Sequence, residues 1–486
     1  MKVISIINKT SHVPVQTLDC FVDKGYLQGT GGSLPDVDVD FQSDRRQEVK
    51  EYIERRYNHD GKQRVFSAGT FTTLKLKAVL KDVARVHRVP VNIVNYITAI
   101  FEDDNMSWTD LFTMAATNKK VHSFITEYPQ VIEDIRTLMG QPRSSSVHPS
   151  ALLVTPDSKD GKDLECFDFT PIKKIDGVLI SEFDGYSLDE QGLLKNDCLG
   201  IKELSKLQAV INICNDKYHT DITFQNIVQS GLDDPKVYQL LQKGYTQNIF
   251  QFSSKGMTKF LVSMQPDKIE DLIAANALFR PATLNSGSTD KYVDCKLGDA
   301  APVYLWGTYN AMKNTYGVLC YQEQLAQIAR EVGKFSLGEG VKLVKLISKK
   351  KVEKILALRD KFMTGANENG CPKEDAEAIW HMFEVAGGYL FNKSHATAYA
   401  VTAYAGAYLK ANYPTAFYTI ALQWAKDDEI PTLMSEMELC SEAKIVPPDI
   451  NVSGGTFITD YETNKIFWSL SRIKMLGAKA TEWIIN

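Results

Sequence analysis

The hydrophobic period changes several times along the chain, and each change marks a structural boundary. Short β-branched runs punctuated by Gly29, Gly31 and Gly32 lead to a stretch where Val37, Val39 and Phe41 alternate with Asp36, Asp38 and Asp40. A period of two is the strand pattern, so it puts the three aspartates on one face and the apolar residues on the other. A helix is predicted from about Ser43 to Tyr57, with Val49, Tyr52, Ile53 and Tyr57 on the side packed against the sheet and Asp44, Glu48, Glu51 and Arg55 opposite. From Thr72 to His87, Leu76, Val79, Leu80 and Val83 recur at helical spacing. Residues 90–145 read as helical and polar. Strands return at Ala151–Val154, Gly177–Ile180 and Gly192–Asp197, the last ending in an aspartate.

Beyond Gly200 helix dominates to about residue 427, most clearly at Leu204–Cys214, Tyr321–Val332, Lys342–Phe362 and Ala396–Asn412. Pro447, Pro448, Gly454 and Gly455 mark a linker, and the tail from Tyr461 to Asn486 reads as the start of a new element. No internal repeat or low-complexity segment interrupts this order. The pattern predicts an α+β protein: one sheet domain with a helical insertion and a long helical extension.

Composition narrows the picture. The chain has 486 residues, 44% of them hydrophobic, enough for several cores. Its net charge of -5 excludes a global basic field, so any nucleic-acid contact must come from local patches. The eight cysteines are scattered with no C-x-x-C pair, which argues against a zinc site or a disulfide framework and for a reducing cytoplasm. The apolar run Val3–Ile7 is too short for a signal peptide or a membrane span, so no membrane partner is expected.

Three carboxylates on one strand face repel and raise one another's pKa unless a cation sits among them, and hard divalent ions are the natural candidates. Two such ions about 3.5–4 Å apart can clamp the attacking and leaving oxygens of a phosphoryl transfer. Asp36 and Asp38 offer one pair of ligands and Asp197 a third. Spacing alone does not bring Asp197 to the others, and a solvated edge strand is the plain alternative. The helix bearing Lys75, Lys77, Lys81, Arg85 and Arg88 reads equally as a solvated face or a phosphate-facing one.

The stretch Leu34-Pro-Asp-Val-Asp-Val-Asp-Phe41 followed by Asp44-Arg45-Arg46 resembles the palm signature of bacterial C-family replicative DNA polymerases, the DNA polymerase III alpha subunits. Further segments match in the same order: Gly69-Thr70-Phe71, Lys77 to Val86, Ser146 to Ala151, and Lys195-Asn196-Asp197-Cys198-Leu199-Gly200. Then come Phe250-Gln251-Phe252, Leu278-Phe279-Arg280-Pro281, Tyr321-Gln322-Glu323-Gln324, Ser348 to Lys351, Phe391 to Ala396 and Pro447 to Asn451. Any one block is weak, but the ordered series is specific.

The resemblance implies a nucleotidyltransferase-type palm sheet, with a thumb inserted into it and mainly helical fingers. The palm would occupy residues 1–70 and 146–203, the thumb 71–145, the fingers 204–430, and a linker with the start of a helix-hairpin-helix-like region 431–486. It implies template-directed addition of dNMP to a primer 3′-hydroxyl with two Mg²⁺ ions, Mn²⁺ serving as a substitute. Asp36, Asp38 and Asp197 would be the metal ligands and catalytic residues, with Asp40 orienting its neighbours. Lys195, Arg280, Lys345, Lys349, Lys350, Lys393 and His395 would contact nucleotide, and Lys77, Lys81 and Arg85 DNA. His148, Tyr399, Tyr404 and Tyr408 read as structural. Partners would be primer–template DNA, dNTPs and other polymerase chains.

Departures from the family pattern sharpen these expectations. R-P-G-P appears as Arg280-Pro281-Ala282-Thr283, and an arginine pair as Val344-Lys345, which forgoes the bidentate arginine fork. Only 33 residues precede Leu34, and Thr30-Gly31-Gly32-Ser33 lies too close to the aspartates to replace the family's Gly-Ser triphosphate cradle. The expectation is a fragment of a split, phage-type polymerase, with the PHP domain, Gly-Ser motif, clamp-binding and OB segments supplied by other chains, or a reduced core, with a complete but minimal enzyme as the alternative. A non-catalytic DNA-binding or assembly subunit is the alternative, and a metal-dependent nuclease a weaker third reading.

Overall fold

A mixed sheet organises the first part of the chain. The computed structural model describes residues 37–101, 106–159, 161–348 and 352–485. Among these, β1 (Val37–Gln42), β2 (Val65–Thr73), β3 (Pro142–Val154), β6 (Ile172–Ile175), β7 (Val178–Ser181) and β8 (Lys195–Ile201) form one sheet in the order β1-β8-β3-β2-β7-β6. A small separate ladder joins β4 (Ser158–Lys159) to β5 (Lys162–Asp163). β3 runs antiparallel to both β2 and β8, whereas β2 and β7 are parallel. The described chain divides into two compact units, one of residues 37–38 and 46–199, the other of 39–45 and 200–485.

In the sheet-containing unit, α1 (Arg46–Tyr57) precedes β2. Among the described residues, five helices lie between β2 and β3: α2 (Leu76–Val86), α3 (Val91–Ile100), α4 (Trp108–Thr117), α5 (Lys119–Glu127) and α6 (Pro129–Leu138). They hold their own core, in which Leu76, Val79, Leu80 and Val83 pack with Leu111, Phe124 and Ile135. A second small core of Phe66, Ala68, Ala151, Leu153 and Leu188 lies on the sheet, Leu188 coming from α7 (Gly185–Glu190). Glycine is required at Gly69, where a Cβ would lie 2.3 Å from the Ser181 carbonyl oxygen.

Several expected elements come out differently. Thr72 and Thr73 end β2 instead of starting a helix, because β2 pairs with the long strand β3, which begins at Pro142 inside the stretch read as helical. α1 forms but buries none of its residues, and Tyr52 is 53% exposed. Asp197 lies inside β8, which starts at Lys195, so residues 192–194 are not strand.

The other unit is mainly helical. Its helices include α8 (Lys202–Lys217), α9 (Ile269–Leu278), α10 (Gln322–Glu331) and α13 (Lys393–Asn412); between α10 and α13 the described residues of the predicted helix Lys342–Phe362 are helical, in α11 (Leu337–Ser348) and α12 (Val352–Glu368), with residues 349–351 outside the description. A large core gathers Leu272, Ile273, Tyr292, Ala403, Tyr404 and Leu409. Part of the tail packs with the helical unit. β9 (Lys444–Val446), β10 (Ile458–Asp460) and β11 (Lys465–Phe467) make a three-stranded sheet, and Phe457 and Ile466 join the same helical core. Among the described residues no helix is long and apolar enough to cross a membrane.

Candidate active site

β8 presents the acidic candidate that is described in full. Its pleat puts Lys195 and Asp197, two residues apart, on one face. Lys195 Nζ lies 2.9 Å from Asp197 Oδ2, and the Asp197 side chain is 12% exposed. Ser150 Oγ donates to Asp197 Oδ1 at 2.9 Å. Burial alone would push the Asp197 carboxyl up, but the hydrogen bonds from Lys195 and Ser150 and the Lys195 charge outweigh it and hold the group below the usual carboxylate range.

His148 stands beside this pair without acting as its partner. Its Nδ1 accepts the backbone N–H of Ala151 at 2.9 Å and that of Ser150 at 3.3 Å, so that nitrogen is an acceptor and lies 3.9 Å from Asp197 Oδ1. Burial lowers the imidazole's affinity for a proton against the opposing pull of the Asp197 charge, and the nearby Lys195 and Lys50 charges add to the lowering. On α1, Lys50 feels desolvation and then Arg46, both lowering its pKa. Arg46 donates to the Pro149 carbonyl at 3.1 Å. Sequence reasoning missed Ser150, Arg46 and Lys50; the Arg46–Lys50 spacing of four residues was the available signal.

Asp36, Lys349, Lys350 and the segment Thr30–Ser33 lie outside the described residues, as does the side chain of Asp38. β1, which carries Asp38, neighbours β8 in the sheet, and Asp40 is half-buried on the same strand. The donor chemistry around Asp197 fits a hard divalent cation: its ligating atoms are carboxylate oxygens. The adjacent Cys198 is buried, and desolvation raises its pKa. Among the described residues alone, no group of three or more His, Cys, Asp or Glu side chains could hold a metal.

In the helical unit, Phe391 gathers two of the predicted basic residues, and its bridge partner Tyr321 meets a third. The Arg280 guanidinium lies 4.5 Å above the Phe391 ring, and His395 meets the same ring edge-on at 5.4 Å. Lys393 Nζ lies 5.5 Å from the Tyr321 ring. His395 also stacks on Tyr399 at 4.2 Å, and Tyr399 meets Phe250 at a tilt, 4.9 Å away. Tyr321 and Phe391 form a parallel bridge, flanked by Gln322 N–H to Phe391 O and Phe391 N–H to Cys320 O, both 2.9 Å. Asn392 caps α13 by accepting from the His395 N–H. Lys345 is exposed on α11. In the sheet-containing unit Lys81 and Arg85 are exposed on α2 and Lys77 is half-buried, while Asp82 draws in both Arg85, at 3.5 Å, and Arg143, at 3.1 Å.

Comparison with known proteins falls along the same division. Residues 13–200 match the family model described as bacterial DNA polymerase III alpha NTPase domain, and residues 203–370 the one described as bacterial DNA polymerase III alpha subunit finger domain. The chain belongs to the bacterial DNA polymerase III alpha subunit family. It is 33% identical to the DNA polymerase III subunit alpha of Aquifex aeolicus, over 96% of this chain and 41% of that protein. The Campylobacter jejuni subunit is also 33% identical, over 93% of this chain and 38% of that protein. For the Thermus aquaticus subunit the identity is 31%, over 93% and 37%. The chain therefore spans about two fifths of the length of these curated relatives.

Proposed function

We propose that this chain is the catalytic core of a template-directed DNA polymerase. The primer 3′-oxygen attacks the α-phosphorus of a bound dNTP, the bond to the bridging oxygen breaks, and pyrophosphate leaves. On this reading the six-stranded sheet is the palm, the helices between β2 and β3 the thumb, and the helical unit the fingers. Asp36, Asp38 and Asp197 would hold two Mg²⁺ ions, or Mn²⁺ in their place. When bound, the ions supply charge stabilisation for the transferred phosphoryl group and lower the pKa of the attacking hydroxyl.

The observation that carries the reading is Asp197: an ionised, largely buried carboxylate beside a lysine, on the strand next to the one bearing Asp38, in a chain of this family. Lys195 keeps Asp197 charged and oriented, and its positive charge suits a phosphate oxygen. Arg280, Lys345, Lys349, Lys350, Lys393 and His395 would supply the positive clamp that phosphoryl chemistry requires, and Lys77, Lys81 and Arg85 would meet the DNA backbone. Primer–template DNA, dNTPs and further polymerase chains are the proposed partners.

Primer extension by the purified chain, alone and with candidate companion chains, tests this. Asp38→Asn is expected to abolish extension and leave DNA binding intact. Normal extension by that variant would overturn the metal assignment. DNA binding with no extension under any condition would favour a non-catalytic assembly subunit.

A further inference from the structure

The ladder between β2 and β3 contains a large irregularity. Ser67 pairs with Leu152 and Gly69 with Val147, so two steps along β2 face five along β3. Four residues of β3, His148 to Ala151, thus face Ala68 alone, three more than a regular ladder allows, and Ala151 already lies opposite Asp197 in the ladder with β8. Bulges re-aim side chains that a regular strand would point elsewhere.

Two groups hold this bulge. His148 Nδ1 fills it from within by taking the N–H groups of Ser150 and Ala151. Arg46 takes the Pro149 carbonyl at 3.1 Å. The outcome is a serine hydroxyl, 3% exposed, directed at Asp197 Oδ1 at 2.9 Å.

We propose that the His148–Ser150 bulge is a positioning device that sets the orientation of the Asp197 carboxylate for a divalent cation, with Ser150 the contacting residue and His148 acting through it. The proposal rests on the polymerase reading of Asp197. An ionised carboxylate has about four lone-pair directions. Ser150 occupies one on Oδ1 and Lys195 one on Oδ2, so the carboxylate plane cannot turn, and each oxygen keeps a direction for a metal. A hydroxyl does this without cancelling the anion's charge, which a second lysine would do. Groups that orient a ligand in this way typically change metal affinity about 10–100-fold when removed.

The test uses Mn²⁺ as the probe, measured by electron paramagnetic resonance on the full chain without nucleotide, beside the Mg²⁺ dependence of primer extension. Ser150→Ala is expected to weaken Mn²⁺ binding about 10-fold or more and to raise the Mg²⁺ requirement by a similar factor, with saturating Mg²⁺ restoring most of kcat. His148→Ala should do the same. His148→Asn, whose amide oxygen can take the place of Nδ1, should bind Mn²⁺ nearly as the wild type does. Thermal melting of each variant separates loss of folding from loss of affinity. Wild-type Mn²⁺ affinity in Ser150→Ala, with affinity lost in Asp197→Asn, would overturn this inference alone. Unchanged Mn²⁺ binding in Asp197→Asn, or a wild-type chain that takes up no Mn²⁺, would overturn the polymerase reading beneath it.

Discussion

The backbone N–H of Lys393 is shared between the two carboxylate oxygens of Glu323, at 2.9 and 3.0 Å. An acid thereby sits at the N-terminus of α13, where unpaired N–H groups and the helix dipole favour negative charge. It also ties the start of α10 to the segment carrying Phe391, Lys393 and His395. Glu323 is buried, and burial pushes its pKa up to about 7, against the opposing pull of the Lys393 and Ser394 N–H groups and the Lys393 charge.

That shift predicts a pH dependence of stability. An unfolded glutamate titrates near about 4.3, so between there and about 7 the folded chain holds a proton that the unfolded chain has lost. The stabilisation linked to this proton is complete below the ordinary carboxyl pKa and is lost as pH rises through about 7. Urea midpoints of the wild type should therefore fall from about pH 5 to about pH 8, and Glu323→Gln should flatten that dependence. An equally steep fall in Glu323→Gln would assign the slope to other groups.

A buried ion pair gives a second prediction. Lys410 Nζ donates to the carbonyls of Tyr245 and Gln247, at 2.9 and 2.8 Å, and to Glu436, which also accepts from the Tyr418 hydroxyl at 2.9 Å. Lys410 is 1% exposed, and desolvation lowers its pKa despite the pairing. Lys410→Met strands the Glu436 charge and should cost about 3–5 kcal/mol in chemical denaturation. Lys410→Met combined with Glu436→Leu should recover part of that loss; strict additivity would show that the two side chains are not coupled.

Lys195 links structure to the proposed chemistry. Lys195→Ala removes the cation 2.9 Å from Asp197 and is expected to raise the KM for dNTP or lower kcat by about 10-fold or more in steady-state primer extension. Wild-type kinetics in that variant would remove Lys195 from nucleotide contact.

Much of this was legible in local pattern. Leu76, Val79, Leu80 and Val83 announce a buried helix face because a period near 3.6 has no other simple explanation, and all four are in the core. The spacing of Lys195 and Asp197 placed them together because strand side chains alternate. Apolar periodicity misled at α1, since it records what a helix could bury and not whether a partner covers it; Tyr52 and Tyr57 are exposed. At the tail the proline and glycine punctuation left unread that Phe457 and Ile466, beside and within the sheet of β9, β10 and β11, join the helical core.

The sequence by itself determined the α+β class, the order of sheet and helical segments, and the residue types available for phosphoryl chemistry, because these follow from nearest-neighbour stereochemistry and ordered motifs. The tertiary structure alone decided that β8 lies between β1 and β3, that a bulge turns Ser150 onto Asp197, and that Glu323 meets the N-terminus of α13. Each of those relationships joins residues dozens of positions apart or more. Strand order, a skipped ladder step and burial against a distant helix leave no periodic trace in a local window, which is why only the folded chain could reveal them.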